Sequence, residues 1–232
     1  MKMKKNKSRR GLAIKIAVGF FALLLIVFGG FFLAMQNETS KMNPLDTGEV
    51  IPGIYAVNNG FVNFYLLEVN GRGNYIAIDA GSDASASKDE LSRLGISSDD
   101  VIAVFLTHTH GDHVGALSLF DKADVYAGAN STYNKVSKKI ADGETADLGG
   151  FSIQCIFAPG HADDSVCYLI DGKYLFSGDT LSLRDGKVGL FNSTFNKSDE
   201  VQKADIQKLS GISGIRYVFS AHYGFTDEAV FP

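Results

Sequence analysis

The chain of 232 residues is organised around the stretch VIAVFLTHTHGDH, residues 101–113. Its first half, Val101–Leu106, is a continuous apolar run, which is typical of a β-strand buried on both faces. Its second half holds three of the five histidines, and one aspartate, within six residues. A single histidine is usually an ordinary packed or surface residue. Three of them beside a carboxylate, at the end of a buried strand, favour a metal site.

The loop after this strand offers four side chains of metal-binding type. In an extended segment His108 and His110 point to the same side. Gly111 then permits a tight turn, which presents Asp112 and His113 at the start of a helix. Imidazole is the usual ligand for zinc and similar metals, and carboxylates complete such sites.

Further ligand candidates each come directly after a predicted strand. His161 lies in the sequence Pro-Gly-His, Asp179 in Ser-Gly-Asp-Thr and His222 in Ala-His-Tyr-Gly. Each is a weak signal alone, because Asp179 could cap a turn and His222 could lie on the surface. Loops that return to one end of a sheet would bring all three to the histidine cluster.

Short apolar runs alternate with turn signals along most of the chain. Asn70–Gly73, with the sequence NGRG, is a strong hairpin signal. Interspersed strands and helices indicate the α/β (α+β) class. The predicted strands are Phe61–Val69, Asn74–Ala80, Val101–Leu106, Phe151–Phe157, Val166–Ile170, Tyr174–Phe176 and Arg216–Phe219, and the predicted helices are Asp83–Leu94 and Asp199–Leu209.

The N-terminal region has the composition of a membrane anchor. Residues 16–35 carry no charge and, at about 1.5 Å per residue, span a hydrocarbon core of about 30 Å. We predict a cytoplasmic basic segment at 1–11, a transmembrane helix at 12–35, a linker at 36–48 and one domain at 49–232. A cleaved signal peptide and a buried core helix are the rival interpretations.

Charge is distributed unevenly between the anchor and the domain. The first 35 residues hold seven of the 22 Lys and Arg and no acid, which leaves 15 positive against 26 negative charges, a net of −11. The positive-inside rule therefore places the N-terminus in the cytoplasm and the domain outside it, at the cell membrane. The acidic domain is not suited to nucleic acid. The lipid bilayer and a small-molecule substrate are the expected partners.

The order of the motifs is His-x-His-x-Asp-His, Pro-Gly-His, Gly-Asp-Thr and a late histidine. Over about Gly53 to Gly224 this set resembles the metallo-β-lactamase superfamily of metal-dependent hydrolases. The resemblance implies a four-layer αββα sandwich, with metals in a cleft at one end of two sheets. The seven ligands that it implies form two sets. One set is His108, His110 and His161, the other is Asp112, His113 and His222, and Asp179 bridges the two metals.

The resemblance also implies a chemistry. Two divalent ions, Zn²⁺ with Fe or Mn as alternatives, would share a hydroxide that Asp112 and Asp179 orient for attack. A proton would return to the leaving group from Asp112 or from a metal-bound water. Asp79 would fix a ligand or cap a turn, and Tyr223 would donate to an oxyanion or simply pack.

The substrate class is narrowed by what the sequence lacks. It has no cysteine in the position of a second-site ligand and no long insertion between Asp179 and His222 such as nucleic-acid branches carry. Ten residues follow His222, where glyoxalase II has a helical domain. We expect hydrolysis of a small ester, thioester, lactone or amide. A mono-iron persulfide dioxygenase and a non-catalytic metal-binding or sensing module remain alternatives.

The two cysteines exclude a disulfide scaffold. Cys155 and Cys167 lie six residues on either side of His161. If their strands pair as a hairpin, the two thiols could face each other and form a disulfide outside the cytoplasm. We favour two buried thiols.

Overall fold

A computed structural model describes the backbone of residues 2–232 and the side chains of 11–37 and 39–232. The chain forms two compact units, 1–42 and 43–232. The helices are α1 (Lys2–Thr39), α2 (Ala84–Arg93), α3 (Gly111–Val114) and α4 (Asp199–Ser210). The strands are β1 (Gly48–Ile51), β2 (Ile54–Asn58), β3 (Asn63–Val69), β4 (Asn74–Ile78), β5 (Val101–Phe105), β6 (Asp124–Gly128), β7 (Lys138–Ile140), β8 (Thr145–Leu148), β9 (Phe151–Phe157), β10 (Val166–Ile170), β11 (Tyr174–Phe176), β12 (Ser182–Arg184), β13 (Lys187–Gly189), β14 (Tyr217–Ser220) and β15 (Gly224–Thr226).

Two mixed sheets form the second unit. The first has the order β1-β2-β3-β4-β5-β6-β7, antiparallel up to β4 and parallel from there to β7. The second has the order β15-β14-β11-β10-β9-β8, in which β11 and β14 pair in parallel. A small hairpin of β12 and β13 stands apart from both sheets.

The sheets pack face to face, and helices cover their outer faces. Ile76 and Phe105 from the first sheet share one apolar core with Tyr168 and Phe219 from the second. A second apolar cluster lies on the other face of the first sheet, where Leu91 of α2 packs. The arrangement is the αββα sandwich that the sequence resemblance implied.

Helix α1 is the long apolar element of the first unit. Gly11–Asn37 is the one segment among the described side chains that is long and apolar enough to cross a membrane, with a mean hydropathy of 2.7. A signal sequence near an N-terminus shares these properties. The helix continues to Thr39, so it includes the first four residues of the expected linker. The last part of that linker hydrogen-bonds within the second unit, where Leu45 N–H donates to Asn63 Oδ1 (2.7 Å).

The two cysteines lie on the hairpin of β9 and β10, as the sequence suggested. The register pairs Cys155 with Tyr168 and Cys167 with Ile156, so the two thiols point to opposite faces of the sheet. Both are free and buried. Burial raises the pKa of each thiol to about 12. The hairpin therefore separates the thiols rather than joining them.

We expect both thiols to be unreactive in the folded protein and fully available after unfolding. At pH 8 an aromatic disulfide reagent should titrate almost no thiol in native protein, because only the thiolate attacks and both thiols are buried and protonated. The same reagent in denaturant should titrate two, with or without earlier reduction. A thiol count that rises only after reduction would show a disulfide.

Candidate metal centre

The candidate metal centre lies where strands of both sheets end. In the first sheet, β4 is followed by Asp79, and β5 by the loop 106–113. In the second sheet, β9 leads to His161, β11 to Asp179 and β14 to His222. The pairs β4–β5 and β11–β14 are parallel, so their carboxyl ends meet at the same edge of each sheet. The structure thus brings all seven expected ligands to one end of the sandwich.

The first group of ligand candidates consists of three histidines. One imidazole nitrogen from each of His108, His110 and His161 lies within 4.8 Å of the other two. His110 Nδ1 and His161 Nε2 are 3.0 Å apart. His108 and His161 are buried, whereas His110 is exposed. Three converging imidazoles with one open side suit a metal that must also reach a substrate.

The second group combines two histidines and two carboxylates. Asp112, His113, Asp179 and His222 each offer one atom within 4.8 Å of the others. His222 Nε2 lies 3.2 Å from Asp112 Oδ2 and 3.3 Å from Asp179 Oδ2. His113 Nε2 lies 3.4 Å from Asp179 Oδ1. This donor set is also of the type that holds a divalent metal.

Asp179 lies between the two groups. Its Oδ2 is 3.5 Å from His161 Nε2 in the first group and 3.3 Å from His222 Nε2 in the second. The side chain is buried, which by itself would favour a protonated carboxyl, but His222 and His113 hold its pKa well below the ordinary value. One carboxylate therefore faces both groups, which is the placement expected of a bridging ligand.

Four of the five imidazoles are held in one orientation by the nitrogen that faces away from the centre. In each, Nδ1 meets a polar atom of the chain, so that Nε2 is directed towards the ligand groups. The partners are Thr107 Oγ1 for His108 (3.3 Å), Asp79 Oδ2 for His113 (2.8 Å), Asn196 Oδ1 for His161 (3.2 Å) and the Phe61 carbonyl oxygen for His222 (2.7 Å).

Buried atoms without hydrogen bonds show that these donors fit metal ions. Across the described side chains, His108 Nε2, His113 Nε2 and Asp179 Oδ1 are buried and form no hydrogen bond. A buried polar atom left unpaired costs about 1–3 kcal/mol. Three such atoms directed into one cluster are readily explained by cations that they would bind.

The pKa shifts of the ligand candidates also favour a cation site. Burial raises the pKa of the Asp179 carboxyl, but the neighbouring His222 and His113 oppose it and hold the pKa well below its ordinary value. Burial lowers the pKa of His222, yet Asp179 and Asp112 raise it to about 9. Burial lowers the pKa of His108 and of His161, so both are neutral imidazoles with a lone pair. The first group therefore offers neutral imidazoles beside an anionic Asp179, whereas His113 and His222, whose pKa values, despite burial, the carboxylates raise, would each release a proton on binding a cation.

Asp79 holds the histidine loop 106–113 through contacts with Thr107 and His113. Its Oδ1 accepts from the Thr107 N–H (2.8 Å), and its Oδ2 accepts from Thr107 Oγ1 (2.8 Å) and lies 2.8 Å from His113 Nδ1. Its backbone has φ +64°, a left-handed conformation that Asp and Asn tolerate better than other non-glycine residues. The carboxylate thus couples the backbone of the loop to the ring orientation of His113.

We expect Asp79→Asn to weaken metal binding by the group that contains His113, by about 10–100-fold. The amide retains the φ preference but replaces one oxygen with a donor, which removes an acceptor from Thr107 or His113. Competition with a metal-binding dye would measure the affinity. Asp171→Asn is the matched control, because Asp171 also has a positive φ (52°) and accepts a backbone N–H, from Ser152, away from the centre. Equal affinities in the two variants would contradict this role of Asp79.

Aromatic residues form the walls of the centre. Phe61 is half exposed and its ring is stacked on His222, with centroids 5.7 Å apart. The buried Phe191 contacts His161 (5.0 Å) and His222 (5.5 Å). Tyr223 is buried against Phe191, which places it in the packing around the centre. Sequence reasoning did not find the two phenylalanines, because nothing local distinguishes them from core residues.

Residues 57–132 match the sequence profile of the metallo-beta-lactamase superfamily. A metallo-beta-lactamase family protein from Thermus thermophilus superposes with a TM-score of 0.60 at 22% identity, over 78% of this chain and 76% of that one. The subclass B3 metallo-beta-lactamase BJP-1 of Bradyrhizobium japonicum also gives 0.60, at 20% identity over 78% and 79%. The domain therefore has the metallo-β-lactamase fold, and the resemblance drawn from its motifs is confirmed.

Several curated relatives are hydroxyacylglutathione hydrolases. That of Francisella philomiragia subsp. philomiragia is 42% identical over 126 residues, which are 52% of this chain and 48% of the relative. That of Francisella tularensis subsp. novicida is 38% identical over 84 residues, 34% of this chain and 33% of the relative. The chain thus spans half or less of the length of these relatives. These relatives are hydrolases, which is the class of enzyme that the motifs implied for this chain.

Proposed function

We propose that this protein is a dinuclear metal-dependent hydrolase, with Zn²⁺ as the metal and Fe or Mn as alternatives. The observation that carries the proposal is the pair of ligand groups that meet at Asp179. When bound, two divalent cations would polarise the scissile bond and lower the pKa of a water molecule so that it can attack near neutral pH.

The chain's own residues would bind the two cations and return a proton to the leaving group. His108, His110 and His161 would hold one cation, and Asp112, His113 and His222 the other, with Asp179 between them. Asp112 is more exposed than Asp179, with 23% of its side-chain surface accessible against 4%. It is therefore the carboxylate that can exchange a proton with a substrate, and we assign it proton return to the leaving group.

Metal analysis of the full-length protein tests the dinuclear proposal directly. Protein purified in detergent without chelators should contain close to two divalent metal ions per chain. A content near zero under these conditions would contradict the proposal. One iron per chain with oxygen uptake on a persulfide substrate would instead support the mono-iron dioxygenase.

For the substrate we propose a small ester, thioester, lactone or amide, with thioesters first among them. The relatives named hydroxyacylglutathione hydrolase support a thioester, because one of them is 42% identical over 52% of this chain and another is 38% identical over 34% of it. A panel of thioesters, lactones and β-lactams, assayed with metal content measured in parallel, would rank these classes. Full metal content with no turnover of any class would favour the non-catalytic module.

For the location we propose a single membrane span at α1, with the N-terminus in the cytoplasm and the catalytic domain outside. The apolar Gly11–Asn37 segment and the basic residues before and within it support this orientation. Protease added to intact cells should degrade the domain. Complete protection of the domain, with digestion only after lysis, would contradict the orientation.

A further inference from the structure

A buried glutamine connects the two ligand groups from the side of α4. Gln202 is fully buried, and its amide uses all four of its hydrogen-bonding positions. Its Nε2 donates to the Asp179 carbonyl oxygen (3.2 Å) and to Asn196 Oδ1 (3.0 Å). Its Oε1 accepts from the Phe191 N–H (3.0 Å) and from Asn196 Nδ2 (2.8 Å). A fully bonded buried amide can adopt only one orientation without leaving partners unpaired.

Asn196 connects Gln202 to the ligand candidate His161. Its Nδ2 donates to Gln202 Oε1 and to Asp199 Oδ1 (2.8 Å each), and its Oδ1 accepts from Gln202 Nε2, so each atom of the amide has a fixed place. That oxygen lies 3.2 Å from His161 Nδ1. A carbonyl oxygen cannot donate, so it requires the proton of His161 on Nδ1. His161 Nε2, which is 3.0 Å from His110 Nδ1, then keeps its lone pair for the ligand group.

The backbone around α4 holds the His161 loop as closely as these side chains do. Ser198 N–H donates to the Gly160 carbonyl oxygen and Lys197 N–H to that of His161 (2.9 Å each). A Cβ on Gly160 would lie 2.3 Å from the backbone nitrogen of Gln202, so only glycine fits there. The start of α4 and the Pro-Gly-His loop are therefore packed directly against each other.

From these contacts we infer that Gln202 is a positioning residue for both ligand groups, which sets the tautomer of His161 through Asn196 and holds the main chain of Asp179. This inference rests on the proposed metal centre. It deepens that proposal by naming the residue that holds His161 and Asp179 in position relative to each other. Gln202 itself touches no ligand atom at the centre.

Gln202→Glu tests the inference with little change in shape. A glutamate carboxylate cannot donate to Asn196 Oδ1 or to the Asp179 carbonyl oxygen, and it would repel Asn196 Oδ1 from its place beside His161. His161 Nδ1 would then lose the acceptor that fixes its proton. We expect a ¹⁵N-resolved NMR spectrum of the metal-free protein to show His161 protonated on Nδ1 in the wild type and as a mixture of both tautomers in the variant. We also expect a 10–100-fold weaker affinity for Zn²⁺ in competition with a chelating dye.

Gln207→Glu is the matched control, because Gln207 lies on the same helix with its side chain exposed. It should leave both the His161 tautomer and the Zn²⁺ affinity unchanged. Asn196→Ala is the second variant, for the case that Gln202→Glu does not fold. Asn196 is only partly buried, and its removal takes the acceptor from His161 while Gln202 stays in place. It should weaken Zn²⁺ binding by a similar factor, with thermal unfolding recorded to show that the domain is intact.

The outcomes separate this inference from the proposed function. If the wild type binds two Zn²⁺ ions and the folded variants keep the same tautomer and affinity, the positioning role of Gln202 is wrong and the metal centre stands. If the wild type itself binds no Zn²⁺, the proposed function fails, whatever the tautomer of His161. A changed tautomer together with weakened Zn²⁺ binding supports the role of Gln202.

Discussion

Asp179→Asn is expected to reduce hydrolysis by at least about 100-fold and to lower the metal content below two per chain. The carboxylate of Asp179 lies within 3.5 Å of an imidazole nitrogen from each ligand group, so its charge serves both cations. An amide of the same shape removes that charge, and loss of one preorganised electrostatic contact already costs about 10²–10³-fold in rate. Steady-state kinetics on a thioester, with metal counted in the same preparation, would measure both effects.

Asp89→Asn provides the matched control for this variant. Asp89 lies on α2 and is exposed, so the same change of charge there should leave rate and metal content unaltered. Far-UV circular dichroism would verify that both variants are folded. If Asp179→Asn kept wild-type turnover and two metals, Asp179 would not bridge the cations and the site would need a different assignment.

Removal of metal is expected to lower the melting temperature of the domain by about 8–16 °C. Ligands that bind only the folded state stabilise it by about 4 kcal/mol when present at 1,000 times their dissociation constant. For a domain of this size, each kcal/mol corresponds to roughly 2–4 °C. The physical reason is the set of buried atoms at His108, His113 and Asp179 that have no hydrogen-bond partner without a cation.

Differential scanning calorimetry with and without a strong chelator would measure this shift. Readdition of Zn²⁺ should restore the higher melting temperature, whereas Mg²⁺, which prefers oxygen ligands, should not. A protein with His113→Ala should show a smaller difference, because one of the two ligand groups is incomplete. Equal melting temperatures with and without chelator would contradict the proposal that the cluster binds metal.

Most of the central strands could be predicted from the sequence, and most of the edge strands could not. The hairpin of β9 and β10 has the predicted bounds, Phe151–Phe157 and Val166–Ile170. These strands are long and apolar, so the local pattern is sufficient. Short strands such as β7 (Lys138–Ile140) and β12 (Ser182–Arg184) have no such pattern, because neighbouring segments of the folded chain stabilise them.

The two cysteines illustrate a different limit of prediction from sequence, which concerns strand register. Their symmetric spacing around His161 suggested that they could meet, and the register of the hairpin decides against it. Because side chains alternate between the faces of a strand, a shift of one residue in pairing would reverse the outcome. Cys155 pairs with Tyr168, so Cys167 lies on the opposite face. Register depends on the packing of the whole sandwich and cannot be read from spacing.

The sequence by itself determined which residues form the candidate centre. All seven expected ligands meet at one end of the sandwich, because each follows a strand and strands of this topology end at one edge. The tertiary structure alone decided how the ligands are held. Nothing local distinguishes Gln202 from a solvent-facing residue of α4, and Asn196 lies in an ordinary polar loop. The role that we infer for them depends on folding, which buries Gln202 against the main chain of Asp179 and places the partly buried Asn196 beside His161.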